Sequence, residues 1–204
     1  MKQYLHEVSR KNLVGKVKKQ SPDRYSNKTS YRILSNRDID VEKLFDDDTF
    51  RINCPVSKYV CSIQFTGVLY RVKEIILKQY RKNLSKQIFI DALMLSIDTT
   101  DVLVNCTCSD FVYRFAFWAT KYGYKLGKKE FRPPKKTNSK DNQGAMCKHL
   151  TAILSDKRWL LRVAEMLYNY VLSFPEKFLD STQIDPTNVN IPGYIHKKTF
   201  SNTD

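Results

Sequence analysis

Glycine and catalytic signatures are both scarce in this 204-residue chain. Only six glycines are present, and a phosphate-cradling loop needs glycine where its backbone approaches the ligand closely. No Ser-His-Asp set and no paired-carboxylate motif occurs, and the one Cys-His neighbourhood is Cys147 with His149. His6 and His196 stand alone, without a fixed carboxylate partner in view. We therefore predict that the chain is not an enzyme and has no small-molecule substrate.

Long apolar segments are missing as well. No run of about 18 apolar residues occurs, which predicts that no helix spans a membrane. No apolar signal segment follows the N-terminus, so we expect a soluble protein made in the reducing cytoplasm. Thiols in that compartment stay reduced or bind metal. The five cysteines are therefore not expected to form disulfides.

Acidic residues are the minority among the charged side chains. Asp and Glu number 21 against 35 Lys and Arg, which gives a formal net charge of +14. A field of that sign attracts polyanions, either nucleic acid or an acidic protein surface. Apolar residues still make up 42% of the chain, enough to form a folded core.

The composition divides the chain into three parts. Residues 1–28 carry eight Lys or Arg against two acidic residues and no lasting apolar stripe, so we predict a basic N-terminal arm. Residues 174–204 contain scattered prolines and predict an extended C-terminal arm. The remaining range, 29–173, is predicted to form one core domain.

Hydrophobic periodicity within the core domain predicts an α+β fold. A period of two indicates strands at 49–56, 58–66 and 101–105. Helical patterns indicate helices at 68–80, 86–98, 110–124, 145–156 and 158–174. We expect a small antiparallel sheet packed with about four to five helices.

Two short Cys and His motifs point to one metal site. Cys106 and Cys108 follow a predicted strand, where side chains two positions apart face the same side. Cys147 and His149 have the same spacing, but inside a helix such positions diverge by about 200°. Cys147 is therefore expected just before a helix or in its first turn. Three thiolates and one imidazole form a closed tetrahedral set, which predicts a structural Zn²⁺.

Chance pairing is the alternative to a metal site, because five cysteines and three histidines can produce such spacings by accident. Each pair borders the end of a predicted element, and the two pairs flank one loop, which favours the metal. Cys54 and Cys61 lie on the predicted strand pair. We interpret them as buried core thiols and not as a second site.

The loop between the two motifs is the densest basic stretch. Its candidate contacts for nucleic acid or a neighbouring subunit are Lys125, Lys128, Lys129, Arg132, Lys135 and Lys136. A solvated loop without a specific partner is the alternative. The preceding aromatic segment places Phe111, Phe115, Trp118 and Ala119 on one helical face, which indicates core packing. The alternative is that these rings are exposed. They would then stack on unpaired bases, and Arg114 beside them would reach a phosphate.

The order of the ligands, CxC followed by a long spacer and CxH, resembles the SWIM zinc finger. The resemblance covers Cys106 to Leu150, with a spacer of 38 residues between Cys108 and Cys147. SWIM modules are associated with nucleic-acid or protein interaction. The resemblance therefore implies a zinc-dependent nucleic-acid-binding protein.

A wider resemblance involves three phrases: VNCTCSDFVYRFAFWATKYGY, EFRPPKKTN and GAMCKHLTAIL. Together they look like a virion protein of tailed bacteriophages, especially the crAss-like group, over most of residues 29–173. The resemblance implies a structural subunit of a head-to-tail connector or tail ring. Its expected partners are further copies of the chain, portal or tail components and, through its positive charge, DNA. It would be made in the host cytoplasm and located in the virion.

Overall fold

A computed structural model describes residues 8–22, 25, 31–32, 34–79, 85–134 and 146–185. The helices in this part of the chain are α1 (Arg10–Gln20), α2 (Val68–Gln79), α3 (Lys86–Thr99), α4 (Ala116–Lys121), α5 (Lys148–Ser155), α6 (Lys157–Ser173) and α7 (Pro175–Thr182). The strands are β1 (Ile39–Asp40), β2 (Thr49–Val56), β3 (Tyr59–Thr66) and β4 (Asp101–Cys106). A 3₁₀ turn, Asn36–Asp38, precedes β1, and a π-helical turn, Phe111–Phe115, precedes α4.

The four strands form one antiparallel sheet in the order β1-β2-β3-β4. Alternate residues of β2, β3 and β4 are buried, so one sheet face is apolar and the other is not. On the more exposed face, Arg51 donates a hydrogen bond to Gln64 and Ser62 donates one to Asn53. Helices and an antiparallel sheet together confirm the predicted α+β class.

Aligned residues across three strands build the sheet side of the core. Phe50 lies opposite Phe65, and Cys54 lies opposite Cys61, which in turn lies opposite Cys106. Trp159 of α6 packs towards the ring of Phe65, with 6.5 Å between centroids. Helix α3 packs against both α2 and α6, and this helical layer covers the apolar face.

The N-terminal arm predicted for residues 1–28 is corrected over Arg10–Gln20, which form α1. Leu13 and Val17, one helical turn apart, are buried in the core. Arg10 forms an ion pair with Asp98 of α3. This helix was missed from the sequence because it fully buries only two apolar side chains, with Val14 partly buried beside them and several lysines in between. Residues 1–7 lie outside the described part of the chain.

The C-terminal arm predicted for residues 174–204 is corrected at its start. Pro175 begins α7, as proline favours the first helical position. Phe178 of this helix is buried and contacts Phe89 of α3, with ring centroids 5.4 Å apart. Residues 186–204 lie outside the described part. Because α1 and α7 come from the predicted arms, the described residues contain seven α-helices, more than the sequence predicted.

No helix within the described ranges has the length and apolar character needed to cross a lipid bilayer.

Replacing Leu13 with Ala tests whether α1 belongs to the core. We expect the free energy of unfolding to fall by about 2–5 kcal/mol, because a buried leucine is removed and a cavity remains. The exposed Lys11 on the same helix provides the control, and Lys11→Ala should change stability by less than about 0.5 kcal/mol. Urea unfolding measures both. Equal stability of the Leu13→Ala variant and the wild type would contradict the packing of α1.

Candidate metal centre

The end of β4 supplies two of the four predicted ligands. The buried positions of β4 are Val102, Val104 and Cys106, and Cys108 continues this alternation at 2% exposure. The backbone of Thr107 still follows the sheet, because its N–H donates to the carbonyl of Val60 at 3.1 Å. Both cysteines therefore face the core side of the sheet, as the spacing predicts.

A π-helical turn directly follows these two cysteines. The N–H of Phe111 donates to the sulfur of Cys108 at 3.3 Å. One turn later, the N–H of Ala116 reaches back to the carbonyl of Phe111, five residues earlier. Such a wide turn redirects the chain, and π-helical insertions are frequent at functional sites. The turn thus gives one ligand sulfur a fixed backbone donor.

The start of α5 supplies the other two ligands. Cys147 is the N-cap residue, with the extended backbone angles φ −71° and ψ 165°. His149 lies at the second helical position and is 5% exposed. An N-cap residue is not helical, so the two side chains escape the divergence of a regular helix. Cys147 therefore lies just before the helix, as predicted from the spacing.

The four side chains converge in the structure. One donor atom from each of Cys106, Cys108, Cys147 and His149 lies within 4.8 Å of the others, and all four residues are buried. The sulfur of Cys106 is 3.9 Å from Nδ1 of His149. A tetrahedral site with metal–sulfur bonds of about 2.3 Å needs sulfurs about 3.8 Å apart. The cluster can hold a metal ion and is compatible with a zinc motif, which argues against chance pairing.

An aromatic side chain from β3 helps to hold the imidazole. The ring of Tyr59 lies 5.0 Å from the ring of His149, at an interplanar angle of 44°. On the helix itself, the hydroxyl of Thr151 donates to the carbonyl of Cys147 at 2.9 Å. These contacts restrict both ligands of α5 before any metal binds, which lowers the ordering cost of binding.

The thiols of the cluster differ in the direction of their pKa shifts. Hydrogen bonds from the thiols of Cys108 and Cys147, and a further one from Cys61, lower the pKa of Cys106. Burial raises the pKa of Cys147, and its hydrogen bond to Cys106 adds to the effect. A divalent metal would displace the shared protons and bind all three sulfurs as thiolates.

Cys54 and Cys61 are buried core thiols outside the four-donor set, as interpreted from the sequence. Burial raises the pKa of Cys54 to about 11, so this thiol stays protonated near neutral pH. The sequence did not show that Cys61 lies directly opposite the ligand Cys106. That neighbour is seen only in the pairing register of β3 with β4, and two helices separate these strands in the chain.

Two of the predicted basic contacts already have intramolecular partners. Lys125 donates to the side-chain oxygen of Asn105 at 2.9 Å, and Arg132 forms a two-pronged pair with Glu130. Lys128 and Lys129 are exposed. Lys135 and Lys136 lie outside the described residues.

The predicted apolar face of the aromatic segment is mostly buried in the core. Phe111, Phe115 and Ala119 are buried. Trp118 differs, because it is only partly buried and stacks on Tyr122, with ring centroids 5.9 Å apart. Arg114 forms an ion pair of 3.3 Å with Asp110, one helical turn earlier.

The fold and the site define an α+β protein with a buried three-cysteine, one-histidine cluster. No family model matches the chain, and no curated protein or solved structure matches it either.

Replacing Cys108 with Ser tests the metal centre. We expect the variant to release bound metal and to melt at a lower temperature, because metal-binding energy is largely folding energy in such sites. Cys54→Ser, at a buried thiol outside the cluster, is the matched control and should retain the metal. Elemental analysis and thermal melting of both proteins measure this. Metal retained in full by Cys108→Ser, or released equally by both variants, would contradict the assignment.

Proposed function

We propose that the metal is Zn²⁺ and that its role is structural. Three thiolates and one imidazole fill a tetrahedral shell, and catalytic zinc sites keep one position for water. All four donors are buried, which further disfavours substrate access. The residues present therefore fit a structural zinc ion, which would supply cross-linking between β4 and α5 and no chemistry on a substrate.

We further propose that the chain is a non-enzymatic structural protein of a tailed-phage virion, a subunit of a head-to-tail connector or tail ring. One observation carries this proposal: two of the three phrases that resemble phage virion proteins supply all four ligands of the metal centre. The first phrase contributes Cys106 and Cys108, and the third contributes Cys147 and His149. The resemblance thus falls on residues that act together in space.

The charge of the chain fits this placement. Ring subunits contact each other through head-to-tail interfaces that close by rotation. A connector lies between packaged DNA and other virion proteins, and a net charge of +14 is attracted to DNA or to an acidic portal surface. A zinc cross-link suits such a subunit because it holds the fold against forces applied at its surface.

A second candidate is a zinc-dependent nucleic-acid-binding protein of the SWIM type. The observation that favours it is a set of exposed rings and cations in the part of the chain that follows Cys108. Tyr113 is 53% exposed and Phe131 is 74% exposed. Lys128 and Lys129 are exposed between them in sequence. Exposed aromatic rings with nearby cations are the elements of a single-strand binding surface.

Light scattering combined with a DNA titration separates the two candidates. The connector proposal predicts a defined oligomer that grows in population with protein concentration. The nucleic-acid proposal predicts a monomer or dimer that binds labelled DNA, with affinity falling steeply between about 50 and 200 mM salt. A protein that remains monomeric at every concentration and binds DNA would overturn the ring proposal.

Reversing the charge of the exposed basic segment tests its interaction with polyanions. We expect Lys128→Glu combined with Lys129→Glu to leave the melting temperature unchanged and to weaken DNA binding. The slope of log affinity against log salt should decrease by about 1 for each phosphate that the variant no longer neutralises. The control is the double variant Lys11→Glu with Lys177→Glu, which changes the net charge by the same amount at exposed positions on α1 and α7. Equal weakening by both double variants would mean that net charge, and not this segment, attracts the DNA.

A further inference from the structure

Cys61 is a buried thiol that the four-donor cluster does not use. It is fully buried, and it lies on β3 directly opposite Cys106 on β4. A lone buried cysteine usually acts as a small apolar side chain. The position of Cys61 opposite a proposed metal ligand gives this thiol a more specific environment.

The hydrogen bonds of the neighbouring residues define the type of pair that Cys61 forms. The next pair along the two strands is Val60 with Thr107, and the N–H of Thr107 donates to the carbonyl of Val60 at 3.1 Å. In an antiparallel ladder, hydrogen-bonded and non-hydrogen-bonded pairs alternate. Cys61 and Cys106 therefore form a non-hydrogen-bonded pair, the type in which opposite side chains approach most closely.

On the side of Cys61 that faces β4, the sulfur of Cys106 is the available hydrogen-bond acceptor among the described residues. Ile63 and Val104 occupy the adjacent row of the same face, and neither is exposed to solvent. The side chains of Cys61 and Cys106 lie directly opposite each other on the buried face, which brings the two sulfurs next to each other. A thiol is a weak donor to a neutral sulfur, and hydrogen bonds strengthen when the acceptor is charged. Cys106 carries such a charge once it binds a metal as thiolate.

A comparison within the cluster supports a role for this contact. The sulfur of Cys108 accepts a hydrogen bond from the backbone N–H of Phe111. The sulfur of Cys106 has the backbone N–H of Cys108 as one donor, and Cys61, directly opposite on β3, is placed to provide a second donor from a side chain. Groups that hydrogen-bond to metal ligands orient them and tune the electron density that they donate.

We propose that Cys61 is a positioning residue of the metal centre, whose S–H donates a hydrogen bond to the metal-bound thiolate of Cys106. The contact fixes the side-chain direction of Cys106 and disperses part of its negative charge. This role rests on the proposed zinc site, and it is independent of the connector and nucleic-acid proposals.

Three substitutions at Cys61 separate hydrogen bonding from packing. Cys61→Ala and Cys61→Val both remove the donor, but the first leaves space and the second fills it. Cys61→Ser keeps a donor at the same position. Cys54→Ala is the control, because Cys54 lies in the same row, one strand away from Cys61 and two away from Cys106.

Zinc affinity and cobalt spectra of the full-length protein supply the readouts. We expect Cys61→Ala and Cys61→Val to bind zinc about 10–100-fold more weakly in chelator competition. With Co²⁺ in the site, their thiolate-to-cobalt charge-transfer band should move to longer wavelength, because a sulfur without its donor gives up electrons more easily. Cys61→Ser should restore both values towards the wild type, and Cys54→Ala should leave them unchanged.

The outcomes distinguish this role from the zinc site itself. A wild-type affinity and an unmoved band in Cys61→Ala and Cys61→Val would overturn the role of Cys61, even if their melting temperatures fall through poorer packing. Failure of the wild-type protein to bind either metal would overturn the zinc site, and the role of Cys61 with it.

Discussion

The meeting of four soft donors from two distant chain segments is the constraint on which the rest of this structure depends. Cys106 and Cys108 belong to the end of β4, and Cys147 and His149 belong to the start of α5. Residues 109–146 separate the two pairs, and bringing together points so far apart along the chain costs conformational entropy that the local contacts must offset. A single residue separates α5 from α6, so the cluster also determines where the helix that carries Trp159 meets the sheet.

Local patterns in the sequence predicted the site well, because its geometry is largely local. Alternation along a strand places Cys106 and Cys108 on one face, and the divergence of positions two apart in a helix places Cys147 at the N-cap. The strands β2, β3 and β4 and the helices α2, α3 and α6 also follow from hydrophobic periodicity. The features that the sequence did not show depend on long-range contacts. Helix α1 fully buries only two apolar side chains, Leu13 and Val17, and no local pattern shows that Cys61 faces Cys106.

The distinction between local patterns and long-range contacts also applies to the basic segment between the two pairs of ligands. Composition marks its positive charge, but the intramolecular partners of Lys125 and Arg132 appear only in the folded chain. Within its described part, up to residue 134, exposed Lys128, Lys129 and Phe131 are side chains through which a partner would be contacted. On our proposals, zinc holds the two anchors of this segment together, and the segment presents charge to DNA or to another virion protein. The stability of the fold and its contact with a partner would then depend on one ion.

X-ray absorption spectroscopy of the purified protein at the zinc edge tests the central claim most directly. The account predicts one zinc environment with three sulfur neighbours at about 2.3 Å and one nitrogen neighbour at about 2.0–2.1 Å. A shell dominated by oxygen and nitrogen, or purified protein that is folded without any zinc, would contradict it.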